Sequence, residues 1–143
     1  MFKINQKYKD FLGNEKEKTL RFNLSESQLF ELAKTDSRFT AEYLAFLLED
    51  RRYMEMVDII RELLVLSYGE LSDDGERFDK DADIQWKFVH SAAYDQLFND
   101  MISGENEKLI EEFMYGIVPE KFATYMKEHS KTQDRITALP VKS

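Results

Sequence analysis

The stretch that most constrains this chain is Tyr53 to Gly69, where apolar side chains take up most of a helix circumference and leave one narrow polar stripe. Glu55, Asp58 and Glu62 recur at three- and four-residue steps, the spacing of a single helical face. Met54, Met56, Val57, Ile59, Ile60 and the run Leu63 to Leu66 fill the rest, far more than the apolar stripe of a surface helix. Such a helix must be covered on several sides. The run is too short and too broken by charge to cross a bilayer, so its cover is protein and the flanking segments have to supply it.

That demand sets the expected fold class. A chain of 143 residues is long enough to enclose one core, and 13% aromatic content is that of a packed globule, since disordered chains are poor in aromatics. The expectation is mainly α: a compact multi-helix domain over residues 1–128, built around a central helix at about 53–68, with a small N-terminal β-hairpin. From 129 to 143 the periodicity is lost and the chain reads as a flexible C-terminal tail.

In chain order, Gly13-Asn14 stands where a tight turn is needed, and Thr19 to Leu24 alternates, with Leu20, Phe22 and Leu24 on one face. Ser25 and Gln28 have capping-box spacing before a short helix at about Glu26 to Lys34. From Thr40, Tyr43, Leu44, Phe46, Leu47 and Leu48 mark a second short helix before Asp50. After Gly69 the chain turns polar, and Asp74-Gly75 is a strong turn signal inside a small two-stranded excursion. Asp81 or Asp83, then Ser91, cap two further helices, the second stopped by Ser103-Gly104. Leu109, Ile110, Phe113, Met114 and Ile117 mark another, and Pro119 begins a last one with Phe122, Tyr125 and Met126.

Charge and chemistry narrow the function. With 28 acidic against 20 basic side chains the formal net charge is −8, which repels nucleic-acid phosphates and anionic headgroups, so neither nucleic acid nor a membrane is the expected partner. The lack of cysteine excludes a disulfide framework, a thiolate zinc site and a cysteine nucleophile. No basic-then-apolar leader begins the sequence, which points to a cytosol. His90 and His129 lack an HExxH partner, no glycine belongs to a phosphate-cradling loop, and no GxSxG elbow occurs. No enzyme and no cofactor are expected. One metal pattern exists: with Gly75 at the sixth position of a calcium loop, Glu70, Ser72, Asp74 and Asp81 supply oxygens at steps one, three, five and twelve. Glu70 is too long for the first position and Asp81 too short for the last, so an acidic turn is the simpler account, and a small calcium-responsive binding module is the alternative function.

Leu20-Arg21-Phe22-Asn23-Leu24-Ser25, the helix ending Leu66-Ser67-Tyr68-Gly69, Ser72 to Phe78, Ala93 to Phe98 and Phe113 to Pro119 follow one another over most of the chain. In that order and spacing they resemble the tail assembly chaperones of long-tailed (siphovirus-type) phages and their prophages. The resemblance implies a non-enzymatic factor of the host bacterial cytoplasm that binds and solubilises the tape-measure protein, helps recruit the major tail protein and self-associates. In that family a longer product is often made by ribosomal frameshifting near the end of the reading frame. Such a role calls for aromatic grooves or anchors on the surface. Tyr68, Phe78, Trp86, Phe113 and Tyr115 are the partner-binding candidates, each of which could equally be a core residue. Met101, Met114 and Met126 could offer an adaptable face or fill gaps in the core.

Overall fold

The computed structural model describes residues 1–50, 53–103 and 107–129. They form a mainly α protein with a four-stranded antiparallel sheet in the order β1-β2-β3-β4. Strands β1 (Phe2–Lys9) and β2 (Glu15–Phe22) pair from Phe2 opposite Phe22 to Lys9 opposite Glu15. Gly13, at φ +87°, makes the turn between them. β2 then pairs β3 (Tyr68–Leu71) at Arg21–Gly69 and Phe22–Tyr68, and β3 pairs β4 (Phe78–Asp79). The helices are α1 (Glu26–Thr35), α2 (Ala41–Asp50), α3 (Tyr53–Ser67), α4 (Ala82–Val89), α5 (Ala92–Ile102), α6 (Glu107–Gly116) and α7 over 120–129, with a 3-10 turn at Ser37–Phe39. None among the described residues is long and apolar enough to cross a membrane.

Local sequence accounts for most boundaries. Ser25 and Gln28 form the reciprocal capping box of α1, Asp81 caps α4 through the Ile84 amide at 2.8 Å, and Ser91 caps α5 through the Tyr94 amide at 3.1 Å. The strands run differently from the alternation in the sequence. β2 begins at Glu15, four residues earlier than the pattern, because Glu15 to Thr19 are exposed on both faces and only Leu20 and Phe22 are buried. Period two shows in a sequence only where one face is covered. Leu24 is buried but lies past the strand end, immediately before the Ser25 cap. Of the tail expected at 129–143, His129 ends α7 and the rest lies outside the described residues.

The chain packs as two compact units, one from Met1–Asn23 and Ile60–Ile117, the other from Leu24–Ile59 and Val118 onward. The boundary falls inside α3, between Ile59 and Ile60. Along this helix Met56, Ile59, Ile60, Leu63 and Leu64 are buried while Met54, Glu55, Asp58 and Arg61 face solvent.

In the first unit the core is built on rings. Phe22 lies 5.6–5.7 Å from Tyr68, Phe88 and Phe113 in edge-to-face geometry, with Phe2 at 6.1 Å, and Tyr68 stacks on Phe88 at 3.8 Å. Edge-to-face pairs each add about 0.5–1.5 kcal/mol beyond the area they bury. Two glycines allow this closeness. A Cβ on Gly69 would stand 2.6 Å from the Phe78 ring and 2.9 Å from the Asp79 carbonyl, and one on Gly116 would press on Phe2 at 3.1 Å. In the second unit Leu29, Phe39, Leu44, Leu47, Ala123 and Met126 are buried.

Candidate functional site

The second unit carries an open concavity of about 410 Å³. Its floor and walls come from three helices and the 3-10 turn. On α1, Leu29 turns inward while Phe30, its neighbour, is 66% exposed, so the helix shows an apolar edge beyond its buried stripe. Ala33, one turn on, keeps the groove open by being small. The 3-10 turn brings in Phe39, and Thr40 starts α2 by accepting from the Tyr43 amide at 3.2 Å while its hydroxyl donates to the Ser37 carbonyl at 2.8 Å. Helix α7 supplies Phe122 and Tyr125.

Polar groups frame this apolar slot. The Tyr125 hydroxyl donates to Glu42 Oε1 at 3.0 Å, and Lys121 lies 3.9 Å from Glu26. Burial first, and then the Glu42 carboxylate, hold the Tyr125 hydroxyl above the ordinary phenol range. A groove of this size, with aromatic walls and few polar groups, is suited to taking apolar side chains of another chain.

The first unit shows its apolar surface differently. At the end of the β1–β2 hairpin Phe11 and Leu12 are 80% and 88% exposed. The turn that carries them is held firmly: Asp10 Oδ1 accepts from the amides of Leu12 and Asn14, each at 2.9 Å, and Asp10 pairs with Lys16 at 3.0 Å. The Asn14 amide, followed by Lys16, lowers the Asp10 carboxyl to about 2. Below this tip a second, more polar concavity of about 800 Å³ is lined by Lys7, Tyr8, Lys9 and Lys16 of the hairpin and by Asp95 and Gln96 of α5.

The aromatic candidates occupy three environments. Phe113 and Tyr68 belong to the ring cluster, and burial pushes the Tyr68 hydroxyl above its usual range. Phe78 is half-buried over Gly69, with the Lys80 ammonium 5.7 Å from its ring, and Tyr115 is half-buried on α6. Trp86 is 61% exposed and stacks on His90 at 4.2 Å. Both histidines do the same thing: His90 Nδ1 lies 2.7 Å from the Trp86 carbonyl and His129 Nδ1 3.2 Å from that of Tyr125, each ring stacked on the aromatic four residues earlier. Of the methionines, Met101, Met114 and Met126 are all buried. The groove and the hairpin tip were missed by sequence reasoning. The available signals were Phe30 beside Leu29, widening the α1 stripe, and Phe11-Leu12 directly before the turn pair Gly13-Asn14.

The calcium reading of Glu70, Ser72, Asp74 and Asp81 gains no support from the fold. Asp74 Oδ1 accepts from Ser72 Oγ at 2.7 Å and from the Glu76 amide at 3.0 Å, Asp81 caps α4, and Glu70 pairs opposite Asp79 in the β3–β4 ribbon. The oxygens build a hairpin turn around Gly75, at φ +76°, instead of converging. Among the described residues no group of three or more acidic or histidine side chains is placed to hold a metal ion.

Comparison with known proteins gives one match: a family model described as phage tail assembly chaperone covers residues 1–141. No curated protein and no solved structure matches the chain.

Proposed function

Because the chain belongs to the phage tail assembly chaperones, we propose that it works in the host bacterial cytoplasm by stoichiometric binding, without catalysis. Its client is the tape-measure protein, which it binds and keeps soluble while helping to recruit the major tail protein, and it self-associates as part of that work. The observation that carries this reading is the groove edged by exposed Phe30 and half-buried Phe122 and Tyr125 above buried Leu29 and Phe39. An amphipathic helix laid in such a slot would anchor side chains at helical spacing. Of the five aromatic candidates, Trp86 is the second contact, being the one most exposed, while Phe78 and Tyr115 border it in exposure and Tyr68 and Phe113 support the fold from inside. The net charge of −8 keeps the loaded complex soluble through mutual repulsion.

Co-expression with the tape-measure protein tests this. The expected result is a complex that stays in the supernatant and survives purification, and its loss when Phe30 and Phe122 are both changed to Ala. Neither a complex nor a gain in solubility with the unaltered chain would overturn the proposal.

A further inference from the structure

Strand β1 forms an edge of the sheet, and the chemistry of its open side is defined by the ladder. The Asp10 amide donates to the Asn14 carbonyl at 2.9 Å where the hairpin closes, and across β2 the Asn23 amide donates to the Ser67 carbonyl at 2.8 Å. With the β1–β2 register these bonds set the phase, because in an antiparallel pair alternate residues exchange both backbone bonds with their partners. Phe2, Ile4, Gln6 and Tyr8 bond to β2, so Lys3, Asn5, Lys7 and Lys9 turn their N–H and C=O groups outward. Among the described residues no strand lies beyond β1, and the one protein donor to this row is the Gln6 side-chain amide, 2.9 Å from the Lys7 carbonyl. The side chains of the same four residues are exposed on one face. The strand carries three lysines and no carboxylate, in a chain whose net charge is −8. Lys3 stands opposite Arg21, a like-charge pair. Glu17 and Glu15 stand opposite Lys7 and Lys9 without forming ion pairs with them, so both ammonium groups remain open to a carboxylate arriving from the other side. On the inner face the concavity of about 800 Å³ borders Lys7 to Lys9 and Ala92, Asp95 and Gln96 of α5, which leaves room for the inward side chains of an added strand.

We propose that β1 binds an extended acidic segment of another protein by strand addition, with carboxylates at alternate positions facing Lys3, Lys7 and Lys9. Main-chain bonds to the outward row supply attachment, and the cross-strand charge pairs supply selectivity. Lysines along an edge repel most strands that could pair there. A second copy of β1 is a poor occupant, since it would bring lysines to lysines. Residues 130–143 are no better, with three basic side chains against one acidic. A strand bearing carboxylates on that face is the one the edge admits, because the same charges that exclude the others attract it. The site belongs to the first unit and stands apart from the reading of the groove.

The probe is a peptide of glutamate alternating with valine, as long as the eight residues of β1, and its control has lysine in place of glutamate. Fluorescence anisotropy with the full chain is expected to show the acidic peptide binding at least about tenfold more tightly, since three facing pairs change from opposite to like sign. On binding, hydrogen exchange at the amides of Lys3, Asn5, Lys7 and Lys9 is expected to slow by about tenfold or more, while that of Ile4, Gln6 and Tyr8 stays as it was. Asn5→Pro removes one outward N–H and leaves the β1–β2 bonds in place, and is expected to weaken binding about tenfold. Asn5→Ala, which loses only the side-chain bond from Thr19, is expected to bind as the unaltered chain does. Lys3→Glu/Lys7→Glu is expected to reverse the preference between the peptides. No binding of the acidic peptide, equal binding of the two, or bound protein whose outward amides exchange as before would each overturn the inference. Exchange in the unaltered chain decides the matter even if Asn5→Pro does not fold. Phe30→Ala/Phe122→Ala is expected to leave peptide binding unchanged, so this inference and the client reading fail separately; a loss there would put the peptide in the groove and overturn the inference as well.

Discussion

Phenylalanine is used in opposite ways in the two units. Around Phe22 the rings of Phe2, Tyr68, Phe88 and Phe113 pack against one another, most of them edge to face and Tyr68 stacked on Phe88, and all are buried. Around Phe30, which faces solvent, half-buried Phe122 and Tyr125 leave an open slot over buried Phe39. A closed cluster contributes to stability because all its contacts are already made; an open one contributes to recognition because its contacts are still to be made. The sequence composition of the two regions does not separate them. What does is whether further elements arrive to cover the rings, as α4 with Phe88 and α6 with Phe113 do for Phe22.

The sharpest attack on this contrast is Phe22→Ala. Emptying the hub of a closed cluster is expected to cost about 3–5 kcal/mol, read as a large fall in the denaturant midpoint. Next comes Gly69→Ala, whose new methyl group would meet the Phe78 ring and the Asp79 carbonyl oxygen. Because a backbone atom cannot yield as a side-chain end can, the expected loss is about 1–3 kcal/mol, measured by the same titration. Phe30→Ala is expected to change stability by no more than about 0.5 kcal/mol, as for other exposed positions, while weakening client capture. If Phe22→Ala proved as mild as Phe30→Ala, the distinction between closed and open rings would fail.

The smallest effect concerns the hairpin tip. The Asp10 carboxyl is lowered from 3.8 to about 2 chiefly by the Asn14 amide. A depressed carboxyl stabilises the fold fully above its unfolded value, and that contribution disappears as pH falls from about 4 toward 2. The amide signals of Leu12 and Asn14 are therefore expected to shift over this window, and Asp10→Asn is expected to flatten the response. A tip whose amides ignored acid would mean the turn is held by its backbone bonds between Asp10 and Asn14 and between Gly13 and Asp10, without the Asp10 carboxylate.

Helix boundaries were legible because caps are local: Ser25, Asp81 and Ser91 announce themselves within four residues of what they bond. The first half of β2 was not, since charged residues on both faces carry no period. The site was less readable still. Phe113 and Trp86 look alike as aromatic residues on helices, yet one is fully buried and the other mostly exposed. That difference comes from partners distant in sequence, Phe2 and Phe22 for Phe113, which no window of adjacent residues contains. The groove depends on α1, α2 and α7 meeting, and the first and last are about ninety residues apart.

The edge-to-face contact of Phe2 with Phe113, 5.5 Å between centroids, also sets a clock. The first strand leaves the ribosome long before the helix that closes over it, and at about 5–20 residues per second the wait is on the order of ten seconds. During that interval Phe2 lacks the Phe113 ring that packs against its edge, so this part of the core is completed only after most of the chain has been made.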